Sequence, residues 1–159
     1  MNDRYLPTYL NDHLAGAAAG TDLAARAASS NADNEYGQFL EDLHNEIAED
    51  KATLELLMER LGVKKDPLKT TAARIAERVG RLKPNAHLTS YSPLSRIIEL
   101  EAIALGVTGK LALWHSLRSL AHADDRLDAA EFDSLIERAE QQREAIESYR
   151  LRAVQETLA

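Results

Sequence analysis

Apolar residues return at three- and four-residue spacing through nearly the whole sequence, and the period-two alternation of a half-buried strand appears nowhere at useful length. Such a repeat lines up its positions on one face of a helix, so the chain is expected to be all-α. The first helix should open at Thr8 as N-cap and run to about Ser29, carrying Leu10, Leu14, Ala17, Ala18, Thr21, Ala25 and Ala28 along an apolar stripe. Its small residues would permit close helix approach. A polar turn over 29–34 leads into a second stripe from Tyr36 to Leu61, and Gly62 follows as a C-terminal cap. So short a connection makes the two helices an antiparallel hairpin, each arm about 30 to 40 Å long at 1.5 Å per residue.

Asp66 before Pro67 signals the start of a shorter helix on Leu68, Ile75, Val79 and Leu82, which must end near Pro84. Ser92 and Pro93 repeat the start signal, and a third long helix continues through Leu100, Ile103, Val107, Leu111 and Trp114 to about Ala121. This helix is apolar around most of its circumference. It should therefore sit deep in a bundle or lend a face to another subunit, with Leu113 and Leu120 as the spare-face residues of a homodimer. Asp128 and Glu131 spell a capping box, and the last helix turns Phe132, Leu135, Ala139, Ile146, Tyr149 and Ala153 inward to about Thr157. Residues 1–159 then form one domain, with a crossover segment at about 62–92.

Composition narrows function mainly by exclusion. At 45% apolar and 28% charged residues, the chain has neither the low hydrophobicity of a disordered segment nor the long apolar run of a membrane span. Its first residues lack the basic segment and apolar stretch of a signal peptide, so a soluble, cytoplasmic protein is expected. With no Cys, any metal site must use His and carboxylates. The net charge of −7 opposes a phosphate backbone, and no nucleic-acid partner is expected. One local exception is the crossover, where Arg74, Arg78 and Arg81 lie opposite Ile75, Val79 and Leu82. That basic face could dock on an acidic partner or a membrane surface, or cover an acidic flank of its own bundle.

Two hairpins of long helices joined by some thirty residues resemble the ferritin-like bundles, in which one long crossover links the second and third helices. The opening Tyr9-Leu-Asn-Asp-His-Leu-Ala-Gly-Ala17 is also similar to that of uncharacterised bacterial ferritin-like proteins. The resemblance implies an up-down four-helix bundle with an extra short helix in the crossover. In di-metal members it further implies a Glu on each of two helices and a Glu-x-x-His pair on each of the others. Here only Glu41 and His44 spell such a pair, and Glu41 lies opposite the apolar stripe of its helix; the last helix has none. The metal ligands are thus largely missing.

Two constellations remain as candidate sites. At mid-height Glu46 and Asp50, with Thr21, Thr108 and Gln142, form a polar bundle core; Gln142, Thr21, Thr108 and Arg118 are the expected partners of the inward carboxylates. Such a layer either binds a proton, ion or small ligand or fixes helix register as a satisfied hydrogen-bond layer. Toward the end where the first helix begins, His13 and His115 with Glu59 and Glu131 could form a two-His, two-carboxylate metal site. Asp124, Arg126 and Asp128 begin like a calcium loop, but Ala129 replaces its Gly and Leu135 its final Glu, so capping explains them better. No phosphate loop or nucleophile elbow occurs. The preferred expectation is a non-catalytic helper or interaction protein without a cofactor, and no catalytic residue is assigned. The alternative is a metal-binding, ferritin-like oxidoreductase using Fe or Mn.

Overall fold

The computed structural model describes residues 4–66 and 91–159, and within them the chain is helical with no strand. Four helices follow one another: α1 (Leu6–Ser30), α2 (Gly37–Arg60), α3 (Pro93–Leu120) and α4 (Ala129–Leu158). The short helix expected after Pro67 and the basic face of Arg74, Arg78 and Arg81 lie outside the described residues.

Local signals set most of the boundaries. Ser92 accepts a hydrogen bond from the Ser95 amide at 3.3 Å, with Pro93 in the first turn, and Asp128 accepts one from the Ala130 amide at 2.9 Å. Asp128 is therefore a cap, as expected. Its capping-box partner is not: Glu131 turns away and pairs with Arg60 at 2.7 Å. After α2 the Gly62 amide reaches Glu59 O at 3.0 Å and the Val63 amide reaches Met58 O at 2.8 Å. This double closure needs a left-handed residue, and Gly62 supplies it with φ 72°. Only α1 starts elsewhere than expected. It begins at Leu6 because Pro7 fits the first turn without needing an amide partner, which leaves Thr8 inside the helix.

α1 packs along α2, α3 along α4, and α1 along α3. Contacts at the ends give every neighbouring pair an antiparallel sense. Tyr9 near the start of α1 meets Ser116 near the end of α3 at 3.1 Å, and Arg60 at the end of α2 meets Glu131 at the start of α4. At the far end Tyr36 donates to Glu156 at 2.7 Å. The chain leaves α2 beside the start of α1, where Asn11 bonds to the backbone of Lys64 and Asp66. The described chain resumes at Tyr91 beside the end of α1, so Asp66 and Tyr91 lie at opposite ends of the helix array.

The turn between α1 and α2 is more than a polar link. Asn31 is fully buried; its amide donates to Ala27 O at 2.8 Å and to Tyr91 Oη at 2.6 Å, while its oxygen accepts from Arg96 at 2.7 Å and Asn34 at 3.0 Å. One side chain thereby ties the end of the first hairpin to the start of the second. Gly37 is part of the same closure, because a Cβ there would stand 2.6 Å from Asn31 O. Tyr91 in turn donates to Glu99 at 3.0 Å; burial pushes the Tyr91 hydroxyl up to about 12 and lifts the Glu99 carboxyl as well.

The core runs through all four helices. Leu10, Leu14, Leu40, Leu54, Leu57, Met58, Leu100, Trp114, Leu117, Phe132 and Ile146 are among its most buried members, and Trp114 stacks on Phe132 at 6.3 Å between ring centroids. Leu113, expected on a spare outer face, is 2% exposed and belongs to this core. Leu120 packs against its edge. α3 instead exposes Leu94 at 43% and Leu105 at 75%. No helix among the described residues is long and apolar enough to cross a membrane.

Candidate ligand cavity and buried charge layer

At mid-height the structure brings together three of the expected polar residues. Asp50 and Gln142 are each 3% exposed, and Gln142 donates to Glu46 at 2.8 Å and to Asp50 at 3.4 Å. Buried carboxylates need cations or donors, and two unexpected side chains supply them. Lys110 of α3 donates to Asp50 Oδ2 and to Gln142 Oε1, and Arg138 of α4 donates to Asp50 Oδ1. Arg138 also reaches Glu49 at 3.2 Å on the solvent side. Asp50 thus has a cation on each oxygen.

The partners expected from the sequence lie elsewhere. Thr21 and Thr108 each bond back to their own helix, to Ala17 O and Ala104 O at 2.9 Å, and Thr108 is exposed. Short hydroxyls in mid-helix are satisfied by the preceding turn and do not reach across the bundle. Arg118 pairs with Asp133 on the surface. Burial pushes the Lys110 ammonium below its usual value, against the opposing pull of Asp50.

Lys110 and Asp50 also line a cavity of about 470 Å³ between α1, α2 and α3. Its apolar walls include Ile47, Leu54, Ile103, Val107, Leu113 and Trp114, and Tyr9, Asp12, His13 and Lys51 complete the polar part. Four glycines, Gly16 and Gly20 on α1 and Gly106 and Gly109 on α3, border the space. A Cβ at any of them would meet nothing within 4 Å among the described residues. The small-residue face of α1, read from the sequence as a surface for close packing, opens a cavity here. Gly16, Asp12 and Gly106 are exposed, which puts the mouth between α1 and α3. Lys51 is paired with Glu55 at 2.9 Å.

The four residues expected at the bundle end do not converge. His13 lines the cavity, half-buried, with its ring edge-on to Tyr9 at 4.6 Å between centroids. His115 is exposed, where an inward position was expected; the inward side of that turn is taken by Trp114 and Leu111. Glu59 is 64% exposed beside Lys65, and Glu131 pairs with Arg60. Among the described residues no three His, Asp or Glu side chains gather in a way that could hold a metal ion. Asp124 is held by Arg126 at 2.7 Å, which pulls its carboxyl down to about 2.

No protein-family model, curated protein or solved structure matches this chain.

Removing one partner from a buried ion pair strands the other charges, so Asp50→Ala should lower the unfolding free energy by about 3–5 kcal/mol. Glu49→Ala, on the exposed end of the same network, should cost about 1 kcal/mol or less. Urea denaturation of both variants measures the contrast, and equal losses would show that the layer does not hold the bundle.

Burial, only partly offset by Asp12, holds the His13 imidazole below its ordinary value of 6.5. Above that value His13 is neutral in both folded and unfolded chains. As pH falls below it the unfolded chain takes up the proton first, so stability declines until the folded imidazole protonates too. Unfolding measured at pH about 7.5 and about 5 should show a smaller acid-side loss for His13→Gln than for the wild type. Identical pH profiles would count against a buried, neutral His13.

Proposed function

We propose that this chain is a non-catalytic binding and helper protein of ferritin-like build, whose working part is the cavity between α1, α2 and α3. The ferritin-like part of the reading is supported by antiparallel neighbours and by a chain that leaves α2 at one end and enters α3 at the other. The observation that carries the binding part is the set of four glycines. Each glycine inside a helix costs about 0.8–1.0 kcal/mol relative to alanine. Packing among the described residues does not require them, since an added Cβ would touch nothing. Space kept open against helix propensity suits the close approach of a guest to the backbone. The cavity also falls in the range of about 300–1,000 Å³ usual for small-molecule sites, with apolar walls and a few polar groups. Binding is favoured over catalysis because both oxygens of Asp50, the carboxylate buried beside the space, are committed to cations.

The neutral apolar fluorophore N-phenylnaphthylamine should bind with one molecule per chain and brighten. Gly20→Leu and Gly109→Leu should abolish that signal while the melting temperature holds or rises. Unimpaired binding by the filled variants, or none by the wild type, overturns the cavity reading.

Self-association through α3 belongs to the same proposal, on different residues from Leu113. Leu94 and Leu105 are exposed and three turns apart, so they share one outer face of the helix. Sedimentation equilibrium at tens of micromolar should give a dimer that Leu105→Asp converts to monomer. A wild-type monomer removes this part.

A further inference from the structure

The placement of the four glycines defines the shape the cavity accepts, on the reading that it is a binding site. α1 and α3 run antiparallel, and contacts at both ends of their seam fix the register: Tyr9 meets Ser116 at 3.1 Å, and Asn31 accepts from Arg96 at 2.7 Å. Gly16 stands seven residues after Tyr9, and Gly109 seven before Ser116. Gly20 stands eleven before Asn31, and Gly106 ten after Arg96. At equal rise on both helices, Gly16 is therefore level with Gly109, and Gly20 with Gly106. All four line the cavity, so they form two facing layers separated by about one helical turn, roughly 5.4 Å.

Each layer lacks side chains on both walls at once. A Cβ added at any of the four would have nothing within 4 Å among the described residues, so the space before each glycine is at least one carbon layer deep. α1 and α3 nonetheless remain packed along the same seam, which limits how far these walls can part. A gap that is thin between two backbones and extended along them suits a thin, broad guest, whereas a globular one would need the helices to separate. Ile47 and Leu54 of α2 lie opposite the mouth, where Gly16 and Gly106 are exposed. Asp12, His13, Lys51 and Lys110 add polar groups to the lining, but thickness is set by the two glycine walls.

We propose that the cavity is a slot for a flat, fused-ring molecule, which enters edge-first between α1 and α3. One face lies on Gly16 and Gly20 and the other on Gly106 and Gly109, with Ile47 and Leu54 against its inner edge. The missing Cβ atoms let the rings approach backbone on both sides.

Naphthylmethanol and adamantylmethanol have the same number of carbons and the same head group, one on a flat ring pair and the other on a compact cage. Calorimetric titration of the wild type should show about tenfold tighter binding of the flat alcohol. The pair Gly16→Ala with Gly109→Ala narrows one layer from both walls. It should weaken the flat alcohol about tenfold while the melting temperature rises, since alanine favours helix. Either substitution alone should weaken it only about twofold, because the opposite wall keeps its space. Equal binding of the two alcohols, or tighter binding of the cage, overturns the slot while leaving the cavity as a binding site. Undiminished binding of the flat alcohol by the pair variant overturns it too. Binding of neither alcohol also overturns the slot, and if N-phenylnaphthylamine fails to bind as well, the cavity reading goes with it.

Discussion

Asp50 is the point at which three of the four helices are fastened together. It stands on α2, receives Lys110 from α3 and Arg138 from α4, and shares Gln142 with Glu46. The α1–α2 and α3–α4 hairpins each close through side chains that follow one another in sequence, but nothing local dictates how one hairpin docks on the other. α1 and α3 meet along a seam loosened by glycines, and α2 and α4 are linked by long polar side chains: Asp50 with Arg138 at mid-height, Arg60 with Glu131 and Tyr36 with Glu156 toward the ends. A carboxylate that is 3% exposed tolerates no slip in register, because a shift of one turn would strand it without a cation. Asn31 does similar work at one end, where a single amide reads the positions of Tyr91 and Arg96.

The parts of this arrangement that were legible in the sequence are those fixed by local stereochemistry. Ser92 before Pro93, Asp128 at the start of α4, and Gly62 after α2 each satisfy backbone groups within a few residues, so their meaning does not depend on the fold. Helical period also placed Glu46, Asp50 and Gln142 on inward faces, since that requires only 100° per residue. The partners were not legible. Lys110 and Arg138 are long side chains whose stems can lie along apolar surface while the charged head travels several ångströms, so their Cα positions do not reveal where the charge ends up. Polar composition made the 29–34 turn look like a solvated link, whereas Asn31 is buried because chain from beyond residue 90 covers it. His115 and Leu113 were misplaced because α3 is apolar on most sides, and a weak stripe leaves its rotation undetermined. The glycines carried a signal that was available, two on α1 and two on α3, but small residues allow either close packing or an opening. Only the neighbouring helix decides which.

That choice bears on what the buried layer is for. A well-packed apolar layer of the same volume would hold a bundle at least as well, since buried ion pairs repay their desolvation poorly. The layer does what an apolar one could not: it fixes one register and sets an ammonium, charge-balanced by Asp50, against the apolar cavity between α1, α2 and α3. Balance matters here. An unpaired lysine in that position would shed its proton or draw in water and anions, whereas one held by Asp50 and Gln142 stays a directional donor in a largely apolar space.

The same logic explains why the cavity lies against the seam of α1 and α3 and not within either hairpin. Within a hairpin, the facing sides carry buried residues turn after turn, from Leu10 to Ala28 on α1 and from Phe132 to Ala153 on α4, and a void there would cost about 24 cal/mol for each cubic ångström left empty. Between hairpins the spacing is set from the far side by Asp50, Arg138 and Gln142, so α1 and α3 can stay apart without collapse. Glycine at four positions then converts that spacing into volume while Leu10 and Leu14 on α1, and Ile103, Val107 and Trp114 on α3, keep the core continuous above and below. The ion-pair layer and the cavity are in this sense one construction: the polar residues hold the walls at the distance at which a guest fits between them.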